Sequence, residues 1–201
     1  MYVTRRRTVL ALAGTLAAGT VAAVALLRKP AAPPEVHTPQ TTPETEAVKL
    51  QSLDALKRTD PPAPPAPFEF TDASGKVHTL ADFAGKGVIL NLWATWCLPC
   101  VAELPALAAL SRRMADDGVV VIPLSSDRGG APAVEKYMTG HGITGLSVWL
   151  DPKSQAARAL GARGIPTTLI IDREGRERGR VEGAVDWASD ASVATIRTLV
   201  R

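Results

Sequence analysis

The stretch Asn91-Leu92-Trp93-Ala94-Thr95-Trp96-Cys97-Leu98-Pro99-Cys100, continued by Val101-Ala102-Glu103-Leu104-Pro105, decides the fold. Cys97 and Cys100 are the only two cysteines of the 201-residue chain and lie three positions apart. They follow an apolar run from Val88 to Trp93 that reads as a buried strand. They open an Ala/Leu-rich stretch with the apolar spacing of a helix. Cys97 therefore falls at a helix N-terminus, where unpaired backbone N–H groups and the helix dipole favour a thiolate over a thiol. Cys100, one turn further, can close a small disulfide ring with it, so the two suit reversible redox chemistry. Half of a zinc site is the other use of a Cys-x-x-Cys pair, but there is no second pair, and His37, His78 and His141 are scattered. No metal is expected.

Working outward, Phe68-Glu69-Phe70 and Val77-His78-Thr79-Leu80, separated by Asp72-Ala73-Ser74-Gly75, read as a β-hairpin. The helix from Cys97 or Pro99 runs to about Asp116, and Pro105 is expected to kink it by removing a backbone hydrogen bond. Val119 to Ser125 is the next buried strand. A helix over 131–140, a strand over 146–150 and a short helix over 154–160 follow. Thr167 to Asp172 and Arg176 to Glu182 form a second hairpin around Glu174-Gly175, and a helix over 189–200 closes the chain. Strand–helix alternation ending in a hairpin and a helix implies an α/β protein with a mixed sheet covered on both faces.

The Trp96-Cys97-Leu98-Pro99-Cys100 turn resembles the active site of the thioredoxin superfamily. Glu103 and the later Gly164-Ile165-Pro166-Thr167-Thr168-Leu169-Ile170-Ile171-Asp172 are similar to the TlpA/ResA-like membrane-anchored thiol–disulfide oxidoreductases of bacteria. The resemblance covers Phe68 to the C-terminus. It implies a thioredoxin-like mixed β-sheet flanked by helices, with an added N-terminal β-hairpin and an inserted helix. It also implies that Pro166 is the cis proline of a loop facing the cysteines, whose backbone at Ile165 holds an extended substrate segment. Alone, Pro166 reads equally as an ordinary trans proline opening an edge strand.

The roles of the other residues follow from their chemistry. Cys97, nearer the surface, is the expected nucleophile, and Cys100 resolves the mixed disulfide. Leu98 and Pro99 set the helix entry, and Trp96 shields the sulfurs and touches substrate, whereas Trp93 reads as core. Trp149 and Trp187 are taken as structural. Glu103, one turn past Cys100, is positioned to shuttle protons and to raise thiol pKa values by like-charge repulsion, unless it is simply a solvated helix glutamate. Asn91 stands where cytoplasmic thioredoxins carry a buried aspartate, which favours Glu103 as the replacement acid. Asp127, Arg128 and His141 read equally well as surface-loop charges.

The first third of the chain is organised differently. Arg5, Arg6 and Arg7 precede an uncharged run from Thr8 to Leu27, closed by Arg28-Lys29. Such a run is long enough to cross a bilayer core of about 30 Å. Residues 1–29 are expected to be a signal anchor that puts the rest of the chain in the periplasm, on the outer side of a bacterial inner membrane. Cleavage near Ala23-Val24-Ala25 is the competing reading. Residues 30–67 hold ten of the sixteen prolines and read as a tether, with Val48, Leu50, Leu53 and Leu56 able to form one short amphipathic helix. The thioredoxin-like domain is then 68–201.

A net charge of +3 with sparse aromatics argues against nucleic-acid binding. No Gly-x-Gly-x-x-Gly fingerprint is present, so no cofactor is expected beyond the Cys97–Cys100 disulfide itself. The resemblance implies reduction of protein disulfides, with electrons from a membrane thiol donor. The substrates it implies are apocytochromes c or copper-delivery proteins of cytochrome oxidase assembly. Three alternatives stand beside it. A dedicated cytochrome c maturation thioredoxin usually carries Gly-x-Pro-Glu, where this chain has Gly164-Ile165-Pro166-Thr167. A peroxidase needs a Pro-x-x-x-Thr-x-x-Cys setting, which is missing. A non-catalytic chaperone or Cu(I)-binding module could use the two thiolates as soft ligands.

Overall fold

A computed structural model describes residues 48–201. The expected anchor and the part of the expected tether before residue 48 lie outside the described residues. The strands are β1 (Lys57–Ala63), β2 (Phe70–Asp72), β3 (Val77–His78), β4 (Gly87–Trp93), β5 (Val119–Ser125), β6 (Trp149–Leu150), β7 (Thr167–Ile171) and β8 (Glu177–Glu182). The helices are α1 (Leu98–Met114), α2 (Gly130–Gly140), α3 (Gln155–Ala159) and α4 (Asp190–Leu199). The strands form one eight-stranded sheet in the order β1-β8-β7-β4-β5-β6-β2-β3. β4 runs parallel to β5 and antiparallel to β7, so the sheet is mixed as expected.

β4 is buried along its whole length because its two faces meet different cores. Ile89 and Trp93 point into a core shared with Leu104, Leu107 and Leu110 of α1, Val134 of α2 and Ile196 of α4. Val88, Leu90 and Leu92 point the other way, onto Phe68, Phe70 and the α3 residue Ala156. The period-2 alternation of a strand thus puts Asn91 on the α1 face. α1 continues unbroken through Pro105 to Met114.

The segment read as a tether differs from expectation. No amphipathic helix forms over the leucines; a short 3-10 turn at Leu53–Ala55 buries Leu53, and the chain then extends as β1. β1 pairs antiparallel with β8 despite Pro61 and Pro62. Proline has no N–H to donate, but β1 sits at the sheet edge, where only one side must pair. Ahead of it, Gln51 accepts from the backbone N–H of Asp186 and donates its own N–H to the Ala184 carbonyl, both at 2.9 Å. The folded region therefore begins before Phe68. The strand expected from Leu146 is also shorter, because only Trp149 and Leu150 find partners on β5 and β2. Among the described residues, no helix is long and apolar enough to cross a membrane.

Candidate active site

The site grows from the point where β4 ends and α1 begins. Cys97 is the N-cap of α1, with Pro99 in the first turn, where its missing N–H leaves no hydrogen bond unmade. Cys97 and Cys100 are joined as a disulfide, with Cα atoms 5.2 Å apart. Cys100 is fully buried, whereas Cys97 is 6% exposed at the surface edge. The Cys100 N–H points at Cys97 Sγ, 3.3 Å away. That N–H lies at the positive end of α1, where it would stabilise a thiolate once the disulfide is opened.

Opposite the sulfurs, the Ile165–Pro166 peptide is cis. The Ile165 carbonyl lies 3.7 Å from Cys97 Sγ, so this loop does face the cysteines. Thr167 Oγ1 donates to the Gly164 carbonyl at 2.7 Å, and the Gly183 N–H donates to the Pro166 carbonyl at 2.9 Å; both bonds hold the loop in place. Trp96 and Leu98 are largely exposed, at 71% and 59%, on the rim around Cys97. Large apolar side chains left in water beside a reactive sulfur are available to a partner. A hollow of about 220 Å³, lined by Trp96, Leu92, Leu124 and Ile165 among others, opens next to them.

Glu103, one helical turn past Cys100 on α1, has no exposure to solvent. One carboxylate oxygen accepts from Trp187 Nε1 at 2.8 Å and from the Val185 N–H at 3.0 Å; the other accepts from Asn91 Nδ2 at 2.8 Å. Asn91 also donates to Thr168 Oγ1 at 2.8 Å, and its own Oδ1 has no partner. Burial, which penalises the charged form, pushes the Glu103 carboxyl up to about 7, although the three hydrogen bonds oppose it. The solvated-glutamate reading is thus excluded. Trp187, read from sequence as structural, is a hydrogen-bond partner of this acid. The loop carrying Val185 and Trp187 is itself held by Gln51, whose amide also donates to the Glu182 carbonyl at 2.7 Å.

Asp127 is also more than a surface charge. It is 5% exposed and accepts from the Thr95 N–H at 2.9 Å, Thr95 Oγ1 at 2.7 Å and Ser125 Oγ at 2.7 Å. It thereby ties the end of β5 to the turn that presents Trp96 and Cys97. His141 is exposed, packed on Tyr137 of α2 at a ring-centroid distance of 4.0 Å. Trp93 is core, as expected, and Trp149 packs edge-on against Phe70 and Phe83. Among the described residues, no three His, Cys, Asp or Glu side chains converge as a metal site would require.

A strand-capped Cys-x-x-Cys, a facing cis-proline loop and a buried carboxylate one turn on make a thiol–disulfide exchange site. The family model described as AhpC/TSA family matches residues 62–178. The chain belongs to this family. It is 34% identical over 120 residues to the thiol–disulfide oxidoreductase ResA of Geobacillus thermodenitrificans, covering 59% of this chain and 67% of that protein. Against ResA of Bacillus subtilis it is 35% identical over 109 residues, covering 54% and 60%. The exposed lipoprotein thioredoxin Etrx1 of Streptococcus pneumoniae superposes with a TM-score of 0.57 at 30% identity, over 67% of this chain and all of that one. A DsbF homologue from Corynebacterium diphtheriae gives 0.59 at 25% identity, over 71% and 90%. The chain is therefore a ResA-like thiol–disulfide oxidoreductase of the thioredoxin fold, and this family membership implies protein disulfides as substrates. The peroxidase signature is absent within the family frame, since Leu90 and Ala94 occupy its Pro and Thr positions.

Proposed function

We propose that this oxidoreductase works as a reductant of protein disulfides on the outer side of the bacterial inner membrane. The Cys97 thiolate attacks one sulfur of the substrate disulfide, whose S–S bond breaks, and the departing sulfur takes up a proton. Cys100 then gives its proton to Glu103 and attacks Cys97 Sγ. The mixed disulfide breaks, the second substrate thiol leaves, and two electrons have passed to the substrate. A thiol donor in the membrane returns the Cys97–Cys100 disulfide to the dithiol. Trp96, Leu98, Pro99, Ile165 and Pro166 form the surface on which the substrate segment lies. No cofactor takes part beyond the cysteine pair.

The observation that carries the direction is the buried Glu103 one turn past Cys100. A carboxylate held there disfavours a second negative charge on sulfur, so it destabilises the reduced, thiolate-bearing form. Strong oxidants of this fold have the opposite design, a stabilised reduced form. The run from Thr8 to Leu27 is the anchor in this reading, and substrates awaiting a metal or haem, such as apocytochromes c or copper-delivery proteins, fit an exported reductant. The equilibrium reduction potential tests the direction. A value near or below about −200 mV supports a reductant, and one near about −120 mV refutes it. Cys97→Ala is expected to abolish insulin-disulfide reduction, while Cys100→Ala should accumulate mixed disulfides. A reporter that folds only outside the cytoplasm, fused after the anchor, tests the location.

A further inference from the structure

Beyond Trp96 the surface opens into a polar recess of about 790 Å³, whose wall carries Arg128, Lys153 and Arg158. All three are exposed. Among the described residues, none has a carboxylate within 4.0 Å, whereas the neighbouring Arg163 is paired with Glu182 at 2.7 Å. The one acidic residue in the wall, Asp127, is buried, and both of its oxygens are taken by Thr95 and Ser125. The Arg158 Nη1 donates to the Lys153 backbone carbonyl at 2.6 Å, which holds the Arg158 guanidinium at the Lys153 turn. Three like charges around one depression repel one another, and the single carboxylate in the wall pairs with none of them.

The recess is continuous with the redox site. Trp96, Ser126 and Ser154 line both it and the apolar hollow that reaches Ile165. A polypeptide laid over Cys97 that continues past Trp96 meets the cations.

We propose that this recess selects the substrate: it takes an acidic segment flanking the disulfide that Cys97 attacks. This rests on the exchange reading above and adds to it a substrate class, defined by charge. Each exposed ion pair contributes little alone. Three cations focused on one recess, however, steer encounter with an acidic chain and repel a basic one. Arg128 and Arg158 also present planar guanidinium groups that suit bidentate contact with carboxylates.

The test uses the full chain in detergent, with the cysteines reduced. Two peptides share the same Cys-x-x-Cys disulfide, flanked in one by glutamates and in the other by lysines. Uncharged hydroxyethyl disulfide is the reference, and the rate of exchange is followed by stopped-flow tryptophan fluorescence. The acidic peptide should react about tenfold faster or more at low ionic strength. The gap should close near about 1 M salt, where the screening length falls to about 3 Å. The triple variant Arg128→Glu, Lys153→Glu, Arg158→Glu should invert the preference while leaving the hydroxyethyl disulfide rate unchanged, which also certifies its folding. If the triple variant loses that reference rate, the single variants Arg128→Gln and Arg158→Gln decide, each expected to narrow the preference. Equal rates for the two peptides, or a preference that survives these substitutions, overturns the recess as a selector. Failure of the wild-type chain to react even with hydroxyethyl disulfide would instead overturn the exchange reading on which it rests.

Discussion

Glu103→Gln isolates the consequence of burying a carboxyl one helical turn past Cys100. The Glu103 carboxyl titrates at about 7, against 4.5 for an ordinary glutamate, because burial outweighs its three hydrogen bonds. Below 4.5 both folded and unfolded chains hold this proton, and its stabilising contribution is complete. As the pH rises towards 7, the unfolded chain releases the proton that the native state retains, so native stability falls. At about 1.4 kcal/mol per pH unit, the span from 4.5 to about 7 corresponds to a loss of about 3 kcal/mol. Glutamine cannot titrate and escapes that loss. It still offers one oxygen to Val185 and Trp187, and rotation of the Asn91 amide brings its unpartnered Oδ1 to the new N–H₂. The variant should therefore be within about 1 kcal/mol of wild type in acid, the size of one net hydrogen bond. It should gain about 3 kcal/mol on wild type by about pH 8. Urea denaturation of the oxidised compact unit Thr45–Arg201 at several pH values measures this directly. A stability difference that stays flat with pH, or that moves in favour of wild type as pH rises, would refute the assignment of Glu103 as a buried, titrating acid. The same variant should have a higher reduction potential than wild type at alkaline pH, since the charge opposing a thiolate is gone.

Asp127→Ala strands the Thr95 N–H and should destabilise the domain by about 1–3 kcal/mol, with slower exchange against a neutral disulfide. Asp127→Asn, which retains an acceptor, should lose less of both; equal losses for the two variants would contradict a positioning role. Gly179→Ala places a Cβ 2.8 Å from the Lys57 carbonyl, a backbone atom that cannot give way without moving β1. An overpacking cost of about 1–3 kcal/mol is expected in denaturant, together with new protease cleavage ahead of Phe68. A variant as stable as wild type would mean that β1 is not held against β8.

The chain's own order of residues was enough to determine the parts of this protein that are local. Cys97 and Cys100 close their ring within one helical turn, so their spacing, with no second pair to complete a metal site, made the disulfide legible. β4 and β5 are mostly apolar runs buried almost throughout, and such runs need little tertiary context to be read as central strands. Glu103 was legible as an acid near sulfur because three positions on a helix is one turn.

Only the tertiary structure decided what surrounds that acid. Val185 and Trp187 come from 82 and 84 positions away, and Thr168 meets Asn91 across the β4–β7 ladder, so no pattern in the primary structure linked them. Asp127 looked like a loop charge because its partner, Thr95, lies 32 positions earlier, across the parallel crossover. Lys57–Ala63 looked like a tether because proline removes backbone donors and so depresses any local strand signal. Its strand character comes from β8, whose outer edge supplies the partner, and a partner is not a property of the segment itself. Redox chemistry was written in adjacent residues; the hydrogen-bond shell of Glu103 and the cis-proline loop opposite the cysteines exist only where distant segments meet.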